Sequence, residues 1–178
     1  MAELTEKLID GRAREAALID EFGETTWSEL DDHTNRAVNA LRALGLGTHD
    51  TIALMCGNRR EFFEVFTAAA HGGWVVVPVN WHWVADELAY VIQNSGSRAV
   101  LVDERFVEVA VAARQDERSG SCDRWIVIGS AAGAALPEGF LRWEELLDDA
   151  SSDTPAEQFM GGPMFYTSGT TGFPKGVR

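Results

Sequence analysis

Four short apolar runs constrain this chain more than any other feature: TIALMCG (51–57), WVVVPVN (74–80), RAVLVD (98–103) and RWIVIG (124–129). Each is long enough for a strand and too short for a helix. None shows the apolar/polar alternation of a strand with one wet face, so each needs cover on both sides. Between them lie segments with helical periodicity. Strand and helix in alternation build βαβ units. The pattern predicts an α/β fold: a largely parallel sheet with helices on both faces.

The intervening segments supply the helices. AALIDEFGETTWSEL (16–30) reads as two short strands around a turn at Gly23, then a helix start whose Ser28 and Asp31 fit a Ser-x-x-acid cap. Leu30, Ala37, Val38, Leu41 and Leu44 then form one stripe, which Gly45 and Gly47 stop. Asn58, with Glu61 three residues on, is expected to cap the next helix. That helix buries Phe62, Val65, Phe66 and Ala69 and ends at Gly72-Gly73. Arg59 and Arg60 fall in its first turn, where the helix dipole disfavours cations, and are expected to be solvated or to meet a partner surface. Pro78 lacks a ladder donor, which places it at an edge, a bulge or a strand end. ADELAYVIQNSG (85–96) is a helix with Leu88, Val91 and Ile92 inward and Asn94-Ser95-Gly96 as its C-cap signal. RFVEVAVAARQDE (105–117) is a further helix.

The rhythm breaks after Gly129. SAAGAALPEGF reads as a loop, RWEELLDDA (142–150) as a short helix, SSDTPAEQFMGG (151–162) as a polar linker and PMFYT as an apolar strand. The expected organisation is an α/β N-terminal subdomain over 1–150, the linker over 151–162, and a strand plus loop over 163–178.

With 178 residues, such a chain buries roughly 70% of its unfolded surface and needs no covalent staples. Its 15 Lys+Arg against 28 Asp+Glu give a formal charge of −13. That argues against a nucleic-acid partner, whose footprint is a basic patch or stripe. Cys56 and Cys122 lie far apart and have no CxxC partner, so no zinc site or other metal site is offered. They read as reduced thiols of a cytoplasmic protein, with Cys56 at a strand end. The N-terminus has no apolar signal-peptide core, and no run approaches the roughly 18 apolar residues of a transmembrane segment.

The remaining stretch, Thr167 to Gly176, reads TSGTTGFPKG. A phosphate needs backbone N–H groups and hydroxyls that converge on one point, and glycine lets the backbone come close. Gly169, Gly172 and Gly176 supply that freedom. Thr167, Ser168, Thr170 and Thr171 add hydroxyls, and Lys175 adds a charge. At about 4 Å from a phosphate oxygen such a charge is worth on the order of 4 kcal/mol at an effective dielectric near 20, before desolvation. Neither G-x-x-x-x-G-K-[ST] nor G-x-G-x-x-G is present.

The order of these residues carries a resemblance. YTSGTTGFPKGV, Tyr166 to Val177, resembles the phosphate-loop signature of the adenylate-forming superfamily of acyl-CoA synthetases, peptide-synthetase adenylation domains and luciferases, [YF]-[ST]-[ST]-G-[ST]-T-G-x-P-K-G. The segment from Thr25 through Asn80 is similar to that family's N-terminal pattern. NWHWVADELAYVIQNSGSRAVLVDE is similar to the acid–CoA ligase branch, closest to fatty acyl-CoA synthetases. Val84 departs from the Thr or Ser common there and cannot cap a helix through its side chain.

The resemblance implies a two-step reaction. A carboxylate attacks the α-phosphorus of ATP with release of pyrophosphate, and the thiol of coenzyme A then displaces AMP. It implies that Thr167, Ser168, Gly169, Thr170, Thr171, Gly172, Lys175 and Gly176 grip the outer phosphates of ATP. It also implies ATP, Mg2+ and coenzyme A for the whole enzyme, and a carboxylic, fatty acid as substrate. Family members run on for several hundred residues past this loop. The chain is therefore expected to be an N-terminal fragment, inactive alone and binding none of these tightly. The alternative is a standalone phosphate-binding or dimerisation module, a homodimer through exposed apolar surface. Of the rest, His33, His49, His71 and His82 show no catalytic or metal spacing. His82, within Trp81-His82-Trp83, reads as a turn packed against the core or as an acyl-pocket wall. Trp74, Trp125 and Trp143 read as core, and Asp31-Asp32 and Asp148-Asp149 as solvated helix faces.

Overall fold

The computed structural model of the chain describes residues 9–167 and 174–177. A hairpin, β1 (Ala16–Asp20) and β2 (Gly23–Thr26), leads into α1 (Trp27–Ala43). Then come β3 (Thr51–Met55), α2 (Arg60–Gly72), β4 (Val75–Pro78), α3 (Ala85–Ser95), β5 (Ser97–Asp103), α4 (Val107–Arg114), β6 (Arg124–Ile128), β7 (Phe140–Arg142) and α5 (Trp143–Asp149). The last elements are β8 (Gly162–Pro163), β9 (Phe165–Thr167) and β10 (Lys175–Val177). Six strands form one sheet in the order β7-β6-β5-β3-β4-β8, and every ladder in it is parallel. The α/β reading and the parallel sheet are both borne out.

The uninterrupted apolar runs are explained by the two cores. Alternate residues of each strand point to opposite faces. Ile52, Leu54, Leu101, Ile126 and Ile128 meet α1, α2 and α5 through Val38, Leu41, Val65, Ala69 and Trp143. Ala53, Met55, Val100, Val102 and Val127 meet α3 and α4 through Leu88, Val91, Ile92 and Ala110. Trp74, Trp125 and Trp143 are core side chains, as expected. Pro78 is the last residue of β4, one of its expected places.

Several local readings are corrected. The cap of α1 is Thr26, two residues before Ser28. The Thr26 Oγ1 accepts from the Glu29 amide at 3.3 Å, and a Glu29 carboxylate oxygen accepts from the Thr26 amide at 2.8 Å. Asn58 does not cap α2. Its first amide, that of Arg60, donates at 2.9 Å to the carboxylate of Asp20, forty residues back on β1. Arg60 is not solvated, because its guanidinium also reaches Asp20 at 2.6 and 3.1 Å. Arg59 is 8% exposed and buried among carboxylates. The helix expected over 105–117 is shorter, with 3-10 turns over Glu104–Phe106 and Glu117–Ser119 at its two ends. Strand β7 arises inside the region read as loop and helix start, and PMFYT divides between β8 and β9.

The 151–161 segment is tied down rather than free. Asn39 donates to the carbonyls of Ser151 and Asp153, Arg42 to that of Glu157, and the amides of Phe159 and Gly161 donate to α2 carbonyls. Among the described residues no helix is long and apolar enough to cross a membrane.

Candidate functional site

The mouth of the glycine-rich loop is a two-stranded antiparallel hairpin. β9 and β10 pair Thr167 with Lys175, Tyr166 with Gly176 and Phe165 with Val177. Of the predicted phosphate-binding residues, Thr167, Lys175 and Gly176 lie on it. Ser168, Gly169, Thr170, Thr171 and Gly172 lie outside the described residues. Residues directly opposite in an antiparallel pair share a face of the ribbon. The Thr167 hydroxyl and the Lys175 ammonium therefore stand on the same side, both exposed, where the chain enters and leaves the loop. Among the described residues no carboxylate pairs with Lys175, so its charge is available to an anionic ligand.

The other side of the ribbon faces the protein. Gly176 is extended strand, so it is not there for a positive φ. A Cβ on it would lie 3.1–3.2 Å from the Met164 sulfur and the Tyr166 ring, tighter than ordinary packing. The missing side chain seats the hairpin. The Tyr166 hydroxyl donates to the Asn94 side-chain oxygen at 2.7 Å, and the Tyr90 hydroxyl donates to the Pro174 carbonyl at 3.0 Å. Burial holds the Tyr166 phenol above its usual pKa. Tyr90 and Asn94, one turn apart on α3, thus fix both arms of the loop. Sequence reasoning gave neither this role. The only signal is that both sit on one stripe of the helix, beside the inward residues Val91 and Ile92.

A second polar cluster closes the carboxyl ends of the central strands. Asp103, fully buried at the end of β5, accepts from Arg105 through both oxygens at 2.9 and 2.7 Å. Arg59 approaches it at 3.5 Å and forks onto Glu61 at 2.6 and 3.0 Å, with its guanidinium 4.9 Å from the Phe22 ring. Burial works to raise the Asp103 carboxyl, but the hydrogen bonds and charges of Arg105 and Arg59 outweigh it and hold the group below its ordinary value. Burial pushes the thiols of Cys56 and Cys122 up to about 12, so both are inert as nucleophiles. Both cysteines are free. Among the described residues no group of three His, Cys, Asp or Glu side chains could hold a metal ion. His82 is on the surface, its ring tilted against that of Trp81 at a centroid distance of 3.6 Å, rather than packed in the core.

A parallel six-stranded sheet with helices on both faces, followed by an antiparallel ribbon, defines the class: an α/β protein. The family model described as AMP-binding enzyme matches residues 6–178, and the chain belongs to that family. It is 32% identical over 161 residues to the fatty acid–[acyl-carrier-protein] ligase ScoC of Streptomyces coeruleorubidus, covering 90% of this chain and 29% of that protein. It is 35% identical over 156 residues to the long-chain-fatty-acid–CoA ligase FadD13 of Mycobacterium tuberculosis, covering 85% of this chain and 29% of that protein. The inhibitor-bound crystal structure of the N-terminal domain of FACL13 from Mycobacterium tuberculosis superposes with a TM-score of 0.82 at 28% identity, covering 98% of this chain and 42% of that one. The chain spans about 29% of the length of the curated relatives it matches.

Proposed function

We propose that this chain supplies the outer-phosphate grip of an ATP-dependent acid–CoA ligase. The observation that carries this reading is the hairpin mouth. It sets Thr167 opposite Lys175 at the two ends of a loop whose residue order is that of the family signature. A hydroxyl donor and an ammonium with no carboxylate partner among the described residues, on one face, fit the β- and γ-oxygens of ATP. There they would hold the departing pyrophosphate in line and offset its charge, which is positioning and electrostatic stabilisation. ATP and coenzyme A are the co-substrates this chemistry needs. Mg2+ would share the phosphate charge, and no described side-chain cluster supplies its ligands. The names of the matched ligases favour a fatty acid as the carboxylate. The two free, buried cysteines favour a reducing, cytoplasmic setting.

Titration of the 178-residue chain with ATP, followed by 31P and amide NMR, tests the reading. Binding is expected to be weak, to fall with added salt, and to drop at least about tenfold in Lys175→Ala, the loss of one charge-assisted contact. ATP shifts of equal size in the parent and in Lys175→Ala would overturn it. Acyl-CoA formation by this chain alone at a substantial rate would overturn the expectation that the segment is inactive by itself.

A further inference from the structure

The sheet changes winding direction around β3. The connection after β3 runs to α2 on one face, while those after β4 and β5 run to α3 and α4 on the other. Loops that part in this way leave a crevice at the carboxyl ends of the strands, the place where open α/β sheets take ligands. A cavity of about 250 Å³ lies there, lined by Gly57 and Asn58 after β3, Trp81 after β4, Arg105 and Phe106 after β5, and Glu21 from the β1–β2 turn. None of these residues belongs to the phosphate loop.

Its walls are chemically specific. Asp103 holds Arg105 through Nε and Nη2, which leaves Nη1 without a protein acceptor among the described residues on a side chain that is 52% exposed. The guanidinium lies across Gly57, where a Cβ would collide with Nη2, so a side chain there would push the arginine from its present place. Beside it Trp81, 43% exposed, stacks on Phe106 at 5.6 Å and presents a flat apolar surface. Asp103 already balances the arginine and Glu21 stands at the rim, an arrangement that disfavours a polyphosphate. The volume lies below the roughly 300–1,000 Å³ of sites for drug-sized ligands.

We propose that this crevice is a binding site for a small, singly charged aromatic carboxylate, separate from the phosphate loop. The carboxylate takes the outward Nη1 of Arg105, and the ring lies on the Trp81–Phe106 surface. The test uses benzoate as probe and the indole and backbone resonances of the 178-residue chain as readout. Benzoate is expected to give saturable shifts at the Trp81 indole and the Gly57 and Asn58 amides, unchanged in Lys175→Ala. Benzamide, of the same shape without the charge, should bind about tenfold more weakly or worse, and so should Arg105→Gln with benzoate. Because Arg105→Gln also disturbs Asp103, Asn58→Asp is the second variant. It places a carboxylate at the rim on an exposed side chain that has no hydrogen-bond partner among the described residues, and it should weaken benzoate several-fold with folding intact. Absence of saturable shifts, equal binding of benzamide, shifts that follow Lys175, or indifference to Asn58→Asp would each overturn the proposal.

Discussion

Asp103 is the residue whose loss the fold should feel most directly. Its side chain has no solvent exposure and answers two guanidinium groups. In Asp103→Asn, Arg59 loses its second carboxylate, and an amide replaces the two-oxygen acceptor that holds Arg105. Breaking a buried ion pair from one side costs about 3–5 kcal/mol, and the half-exposed Arg105 places this case at the lower end. A urea midpoint within experimental error of the parent would contradict the expectation. The same residue predicts an acid response. Arg60 holds Asp20, and Arg105 with Arg59 holds Asp103, below the ordinary carboxylate value of about 3.9. As pH falls past that value the unfolded chain takes up these protons before the folded one. Stability is then complete above about pH 4 and lost as pH falls through the folded values. Asp20→Asn should flatten part of that slope, which acid titration of unfolding free energy would show. Arg59 also marks a limit of sequence reading. In the first turn of a helix an arginine looks solvated, and only the fold brings Asp103 of β5 beside it.

At the scale of elements, α2 is the part most dependent on its neighbours. Its first amide is satisfied by Asp20 of β1, so the hairpin acts as a detached cap. Asp20→Ala should cost about 1–2 kcal/mol, as loss of an N-cap does, and should speed hydrogen exchange at the Arg60 amide. Further along α2, Glu64 is buried and takes the His33 ring at 2.7 Å from α1 and the Trp143 indole at 3.2 Å from α5. The hydrogen bond to Glu64 raises the His33 pKa against the opposing effect of burial. A raised cation contributes stability that is complete below its unfolded value of about 6.5 and lost as pH rises through the folded one. The His33 contribution should therefore fall from pH 6 to 8, against the opposite trend of His71, whose pKa burial lowers, and the difference in melting temperature between the parent and His33→Gln should shrink over that range. A difference of unchanged size over that range would contradict the expectation. Elements whose signals are local were legible in the sequence. The four central strands, the stripes of α1 to α3 and the Gly96 stop belong to that group. The cap of α2, strand β7 and the division of PMFYT were not, because each depends on a partner distant along the chain. The same holds for the candidate site. Residue order singled out the loop as the candidate, but the seating of its arms on Tyr90 and Asn94 needed the packed helix.

At the scale of the whole molecule, the exposed apolar residues are unevenly placed. Phe159 and Met160 precede β8, Phe165 lies on β9 and Val177 on β10, at 41, 79, 53 and 54% exposure. They fall within the last twenty residues of the chain, on and beside the ribbon that carries the loop. Scattered exposed apolar side chains are ordinary on a protein surface, whereas a contiguous set tends to be covered by another surface. The ribbon adds a second drive toward association. β10 pairs with β9 on one side, and among the described residues no strand pairs with its other edge. Open edges recruit strands from other chains unless charge or a bulge blocks them. Lys175 offers one such charge, but Gly176 and Val177 offer none. The 178-residue chain should therefore self-associate as its concentration rises, through this end and not through the acidic remainder. The double substitution Phe165→Ser and Val177→Thr keeps the strand register while removing the exposed apolar pair on the ribbon itself. It should shift light-scattering mass toward the monomer and leave the melting of the six-stranded sheet nearly unchanged. A parent chain that stays monomeric at high concentration would refute association. A double variant that associates as strongly as the parent would place the contact elsewhere, with Ile19, Phe22 and Phe63 near the β1–β2 hairpin as the next apolar surface.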